Sequence, residues 1–211
     1  TGARHVLPER ELRTTFDRYL ARQFGERSGP DALWAYTPYE VRNVLTFVHL
    51  DRPADAQTVL QGLLADRRPR AWQMWPEVVH SRPRYPGYIG DMPHTWIGAE
   101  YARTLVGMLL HEGDDGLQLL PGAPTTWLDG DGLSVRALPT AFGPLTMAAR
   151  QSGEQLDITL GDGLTEMVPV QVIWPNRTRP ASVRVDGRAV DDFDARGVRL
   201  SKPFRRLEAR W

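Results

Sequence analysis

The apolar residues of this chain change their spacing near residue 113, from a helical to an alternating period. Before that point they recur at intervals of three and four residues, which predicts amphipathic helices. After it they alternate with polar residues in short runs separated by turns that contain glycine, which predicts strands. A shift of this kind is expected at a domain boundary. The sequence therefore predicts an α+β protein, with helical hairpins over residues 1–113 and an antiparallel, β-sandwich-like domain over residues 114–211.

The helical half is predicted to contain four helices. Thr37-Pro38-Tyr39-Glu40 has the form of a capping box with proline at the first helical position. The link Asp51-Arg52-Pro53 is so short that the helices on either side of it must form an antiparallel hairpin. The predicted helices are 8–24, 38–50, 53–66 and 94–112, and Gly113 lies just beyond the last.

The second half is predicted to be a series of short strands joined by tight turns. Sequences such as Asp129-Gly130-Asp131-Gly132 and Asp186-Gly187-Arg188 supply the positive-φ residues that hairpins require. Short strands at this spacing are typical of an antiparallel sandwich. The predicted strands are 117–120, 133–138, 145–150, 155–160, 168–174, 181–185 and 205–211.

Composition excludes several classes of function. The 26 Lys and Arg residues equal the 26 Asp and Glu residues, which argues against a general electrostatic affinity for nucleic acid or an anionic membrane. No apolar run approaches the roughly 20 residues of a membrane helix. The chain has 0 cysteines, so disulfides, thiolate metal sites and a cysteine nucleophile are excluded. No serine-hydrolase, phosphate-loop or dinucleotide motif is present, and no cofactor is predicted.

A proline-broken loop between Arg67 and Pro93 carries the residues most suggestive of chemistry. Loops longer than about 12 to 15 residues are unusual in compact domains unless they are functional or disordered, and the aromatic residues here favour order. A sugar presents apolar C–H faces and a ring of hydroxyl groups, so its site needs flat aromatic rings beside groups that form hydrogen bonds. The candidate saccharide-binding residues are Trp72, Trp75, Tyr85, Tyr88, His94 and Trp96.

Glu77 and Asp91 are the candidate catalytic carboxylates, because hydrolysis of a glycosidic bond usually requires two carboxyl groups. Glu77 has an alternative interpretation as a solvated loop residue, and Asp91 as a cap of the fourth helix. Glu100, on that helix, is interpreted mainly as a structural charge. His80 and His94 have no third ligand at a regular interval, so a zinc site would need the fold to recruit Glu77 or Asp91, and no metal is predicted.

Three segments resemble the six-hairpin glycoside hydrolases, a group that includes α-L-rhamnosidases and fucosidases. The stretch from Leu119 through Pro121 and Trp127 to Leu145 is similar to their junction between helices and β-domain. Asp91-Met-Pro-His-Thr-Trp-Ile-Gly-Ala-Glu-Tyr101 resembles the start of a late barrel helix. The segment 181–190, Ala-Ser-Val-Arg-Val-Asp-Gly-Arg-Ala-Val, resembles a hairpin of their terminal domains.

This resemblance implies an α/α toroid of twelve helices followed by a β-domain, whereas four helices are predicted here. The other hairpins would then belong to a missing N-terminal part of the same enzyme, possibly as a separate chain. The expected ligand is an oligo- or polysaccharide, and Glu77 or Asp91 would supply one half of a catalytic pair. A secreted or periplasmic location is slightly favoured over the cytoplasm. The alternative functions are a non-catalytic carbohydrate-binding or interaction module, and a loop whose aromatic residues only pack.

Overall fold

The computed structural model describes residues 6–29, 31–67, 71, 74–82, 85 and 90–211. The protein is α+β, with helices in the first part of the chain and mainly antiparallel strands in the second. The chain divides into two compact units, Thr1–Val106 and Gly107–Trp211. The boundary predicted after residue 113 lies somewhat later than this division. Within the described ranges, no helix is both long and apolar enough to cross a membrane.

The helices follow the apolar periodicity. Helix α1 (Glu9–Arg18) continues into a π-helical turn, Tyr19–Phe24, and a 3₁₀ turn, Gly25–Ser28. Its Phe16 ring meets Phe47 of the second helix edge to face, at a centroid distance of 5.4 Å. Helical structure therefore extends to the predicted end near Gly25, but its geometry changes on the way. The α-helices are α1 (Glu9–Arg18), α2 (Arg42–His49), α3 (Pro53–Asp66) and α4 (Thr95–Leu109).

Helices α2 and α3 form the predicted hairpin. Asp51 adopts a φ of 58°, and the N–H of Arg52 donates to the carbonyl of Phe47 at 2.8 Å, which reverses the chain. Pro53 then begins α3, where its missing N–H removes no helical hydrogen bond. The residues that α2 and α3 bury are Val44, Phe47, Val48, Ala56, Val59, Leu60 and Leu63.

The predicted capping box is only half formed. Thr37 Oγ1 accepts a hydrogen bond from the N–H of Tyr39 at 3.5 Å, and Pro38–Val41 forms a 3₁₀ turn that leads into α2. The Glu40 carboxylate instead accepts from the Tyr19 hydroxyl at 2.6 Å and pairs with Arg27. Burial, together with this hydrogen bond, raises the pKa of Tyr19. The prediction fails for Glu40 because a buried phenol and a guanidinium compete with the backbone for its carboxylate.

Among the described residues, the first unit has a two-stranded sheet and the second unit has two larger sheets. A two-stranded sheet pairs β1 (Ala35–Tyr36) with β2 (Val79–His80). The strands of the second unit are β3 (Leu110–Gly113), β4 (Gly116–Leu119), β5 (Leu133–Leu138), β6 (Leu145–Ser152), β7 (Gln155–Leu160), β8 (Val170–Ile173), β9 (Ser182–Val185), β10 (Arg188–Val190), β11 (Gly197–Leu200) and β12 (Arg206–Arg210).

The second unit has the predicted sandwich-like arrangement, with one exception to the antiparallel pairing. Its six-stranded sheet has the order β10-β9-β12-β7-β6-β5, and its four-stranded sheet has the order β11-β8-β4-β3. Every pair is antiparallel except β4 with β8, which run parallel. Buried residues of both sheets belong to one apolar cluster around the fully buried Trp174. The alternation of buried and exposed residues in β6 and β7 is the pattern that the sequence predicts.

The fourth helix is shorter than predicted. It ends at Leu109, and Leu110–Gly113 forms strand β3 instead of the last helical turn. Leu110 pairs with Leu119 across a tight turn, and Gly116 closes that turn with a φ of 124°. A side chain at Gly116 would lie 2.3 Å from the carbonyl oxygen of Pro169. The sheet therefore includes Leu110, His111 and Glu112, whose local spacing also fits a helix.

Candidate functional site

Two backbone hydrogen bonds fix the course of the loop that precedes α4. The N–H of Glu77 donates to the carbonyl of Asp91 at 2.9 Å, and the N–H of His94 donates to the carbonyl of Trp75 at 2.9 Å. The segments on either side of the proline-rich stretch therefore run next to each other. Residues that are far apart in the sequence become neighbours by this pairing.

The same pairing brings together three predicted site residues. One ligand atom from each of Glu77, Asp91 and His94 lies within 4.8 Å of the other two. Nδ1 of His94 is 3.9 Å from Oδ2 of Asp91. The Asp91 side chain is 84% exposed and that of His94 only 15%, so the group opens to solvent on the Asp91 side. We call these three residues the carboxylate–histidine cluster.

Tyr39 adjoins this cluster, although the sequence identifies it only as part of a helix start. Its hydroxyl lies 2.8 Å from Nε2 of His94, and the two rings meet edge to face at 5.7 Å. Burial raises the pKa of Tyr39, and the negative charges of Glu77 and Glu100 add to the rise, whereas the positive charge of Arg42 opposes it. The only sequence feature that involves Tyr39 is the predicted capping box, which indicates the start of a helix and not a functional site.

Trp96 presents an accessible indole next to Tyr39. It is 61% exposed, and its ring stands edge to face against Tyr39 at 5.4 Å. The Arg42 guanidinium lies 4.6 Å from the Tyr39 ring centroid and 5.6 Å from that of Trp96. Arg42 also donates to Glu100 at 2.9 Å. This contact supports the structural interpretation of Glu100. The rings of Tyr39 and Trp96 form an aromatic surface beside the cluster.

Burial acts to raise the pKa of Glu100, but other interactions reverse the effect. The hydrogen bond and the positive charge of Arg42, together with the charge of Arg103, lower the pKa below its ordinary value. Glu100 is therefore held in its ionised form by two arginines. A carboxylate held in this way is suited to orienting Arg42 rather than to donating a proton.

The other candidate aromatic residues differ in their surroundings. Trp75 is 5% exposed and packs against Tyr101 at 5.9 Å, so it supports the loop from within and offers no ring face to a ligand. Tyr85 is 41% exposed and stacks on His80, with centroids 4.1 Å apart and planes inclined by 9°. Trp72 and Tyr88 lie outside the described residues.

Comparisons with known proteins leave the chain without an assigned family. No protein-family model matches it, and no curated protein matches it. Among solved structures it is similar to a GH127 β-L-arabinofuranosidase from Geobacillus stearothermophilus T6, with 8% sequence identity and a TM-score of 0.40. The match covers 82% of this chain and 31% of that glycoside hydrolase. A similarity this weak assigns neither a family nor an activity.

Proposed function

We propose that the chain is part of a glycoside hydrolase and that the carboxylate–histidine cluster and Trp96 line its saccharide-binding site. The observation that carries the proposal is the convergence of Glu77, Asp91 and His94, with ligand atoms within 4.8 Å, near an indole that is 61% exposed. Sugar hydroxyl groups bind to ionised oxygens and imidazole nitrogens, and sugar C–H faces pack on flat rings. The site supplies both kinds of group.

The arrangement of the site also supports a function beyond packing. A loop that only filled the interior would bury its aromatic rings, as the loop does with Trp75. Trp96 is instead exposed at the start of α4, and Asp91, which precedes that helix, is exposed as well. In our proposal these side chains bind a saccharide, and the two carboxylates act at its glycosidic bond.

The remainder of the cleft belongs to our proposal as well. The resemblance to six-hairpin glycosidases implies further helical hairpins, which would come from the same enzyme or from a separate chain. We propose that they supply the opposite wall of the cleft for an oligo- or polysaccharide. Hydrolysis is therefore to be measured with those hairpins present.

The test is hydrolysis of a panel of aryl glycosides and oligosaccharides by the enzyme and by its Glu77→Gln and Asp91→Asn variants. Loss of a group that transfers a proton in the reaction should lower kcat by about 10²- to 10⁴-fold. Glu166→Gln and Asp192→Asn alter exposed carboxylates of the second unit and should leave kcat unchanged. Unchanged kcat in both site variants would reject the assignment of the two carboxylates. Saccharide binding without hydrolysis of any substrate would identify a non-catalytic binding module instead.

A further inference from the structure

We infer that Glu77, Asp91 and His94 bind a first-row divalent cation such as Zn²⁺ or Mn²⁺. Their ligand atoms lie within 4.8 Å of one another. Ligands at about 2.0 to 2.2 Å from a zinc ion are about 3 to 4 Å apart, so small side-chain rotations convert the observed arrangement into coordination. The backbone can remain in place, because hydrogen bonds already join the two segments that carry these residues.

The orientation of the His94 ring favours a metal ligand. Nε2 lies 2.8 Å from the Tyr39 hydroxyl, whereas Nδ1 faces Asp91 at 3.9 Å. If Nε2 carries the proton and donates a hydrogen bond to the Tyr39 hydroxyl oxygen, the lone pair of Nδ1 is directed towards the two carboxylates. Histidines that bind metals usually have their second nitrogen fixed by such a partner. Tyr39 is therefore a positioning residue for the site.

The charges around the cluster also favour a cation. Two carboxylates placed this close repel each other unless a proton or a positive charge lies between them. In the part of the chain that the structure describes, neither Glu77 nor Asp91 forms an ion pair with arginine or lysine. Arg42, which contacts the neighbouring Tyr39 ring, is already hydrogen-bonded to Glu100. A divalent ion would balance the two negative charges.

The ligand types select among cations. Imidazole nitrogen favours Zn²⁺, Fe²⁺ and similar ions, whereas Ca²⁺ and Mg²⁺ prefer sites built entirely of oxygen ligands. Three protein ligands, one of them 84% exposed, leave coordination positions open for water or a substrate hydroxyl group. The inference concerns binding of the ion alone and stands without the proposed function. Where both hold, Glu77 and Asp91 would act at the glycosidic bond through the ion that they bind, and chelation would abolish hydrolysis.

The test is calorimetric titration of the 211-residue protein with ZnCl₂, MnCl₂ and CaCl₂ after treatment with EDTA and dialysis. We expect Zn²⁺ or Mn²⁺ to bind in a ratio near one to one, and more tightly than Ca²⁺. His94→Gln, Glu77→Gln and Asp91→Asn should each weaken that binding at least tenfold. The matched controls His111→Gln and Asp192→Asn, both in the second unit, should not. Circular dichroism establishes that each variant is folded.

Two results would overturn the inference: no Zn²⁺ or Mn²⁺ binding by the wild-type protein, or equal affinity in the site variants and the controls. Its failure is distinguishable from failure of the proposed function. Hydrolysis by a protein that binds neither Zn²⁺ nor Mn²⁺ in the titration refutes the cation site and leaves the glycosidase proposal intact. Cation binding that depends on these three residues, in a protein that neither binds nor cleaves a saccharide, supports the cation site and refutes the proposed function.

Discussion

The hydroxyl of Tyr39 lies 2.8 Å from Nε2 of His94, which joins the turn before α2 to the residue that precedes α4. The contact links two parts of the helical unit that are far apart in the sequence. It also places a phenol behind the imidazole of the carboxylate–histidine cluster. The orientation of His94 therefore involves a residue outside the three proposed cation ligands.

Tyr39→Phe should weaken binding at the cluster without unfolding the helical unit. The substitution keeps the ring that packs against Trp96 and Arg42 but removes the hydrogen bond to His94. Loss of such a supporting partner typically lowers metal affinity by about 10- to 100-fold. Zn²⁺ titration measures the effect, and Tyr101→Phe is the control because that ring packs against Trp75 instead. Equal affinity in the two variants would show that the phenol does not position His94.

Trp96→Ala should mainly weaken saccharide binding, whereas Trp75→Ala should mainly reduce stability. Trp96 is mostly exposed, so its loss should change the melting temperature little but weaken saccharide binding by about 1 kcal/mol. Trp75 is buried, so its loss should destabilise the protein by about 3 to 5 kcal/mol. Urea unfolding and saccharide titration separate the two effects. A large loss of stability in Trp96→Ala would contradict this division.

Gly90→Ala should disturb Glu77 directly. A Cβ at position 90 would lie 3.0 Å from the Cβ of Glu77 and 3.2 Å from the backbone nitrogen of Val78. Glu77 would have to move away, so affinity for the cation should fall. Gly98→Ala is the matched control, because a Cβ there meets nothing within 4 Å and lies in a helix, where alanine is more stable than glycine by up to about 1 kcal/mol. If both variants bind the cation like the wild type, Gly90 does not constrain the site.

Glu100→Gln should reduce stability at neutral pH and have little effect in acid. Because arginine contacts lower the folded-state pKa of Glu100, its contribution is present above the ordinary value of 4.5 and is lost as the pH falls through the folded-state pKa. The pair with Arg42 is partly exposed, so the difference at pH 7 should be at most about 1 kcal/mol. Urea unfolding of the wild-type protein, Glu100→Gln and the exposed control Glu166→Gln measures it. A difference that grew on acidification would have the wrong sign.

Local sequence patterns predict much of the fold because most elements have a regular apolar spacing. The exceptions are segments whose conformation depends on contacts with other elements. Leu110 fits the helical spacing of α4 but pairs with Leu119, and the four-residue strand β11 forms by pairing with β8. Glu40 fits a capping box but binds Tyr19. In each case a contact with another element determines the structure, and apolar spacing along the chain does not contain that information.

The candidate site is only partly predictable for the same reason. The sequence identifies Glu77, Asp91 and His94 by residue type, but backbone pairing across the loop brings them together. It does not distinguish Trp75 from Trp96, although one is buried and the other exposed. The sequence does not identify Tyr39 as a site residue, because its position is already explained by the predicted start of a helix.

The most direct test of the saccharide site is a titration of the protein with oligosaccharides, followed in ¹H–¹⁵N spectra. The indole N–H signals of the 7 tryptophans are observed, and each is assigned by substitution. We predict that the Trp96 signal shifts in a saturable manner, whereas the buried Trp174 and the part-buried Trp211 in the second unit do not respond. Glu77→Gln or Asp91→Asn should weaken that response. A saturable shift confined to tryptophans of the second unit, or no shift of Trp96 with any saccharide, would contradict a saccharide site at Trp96.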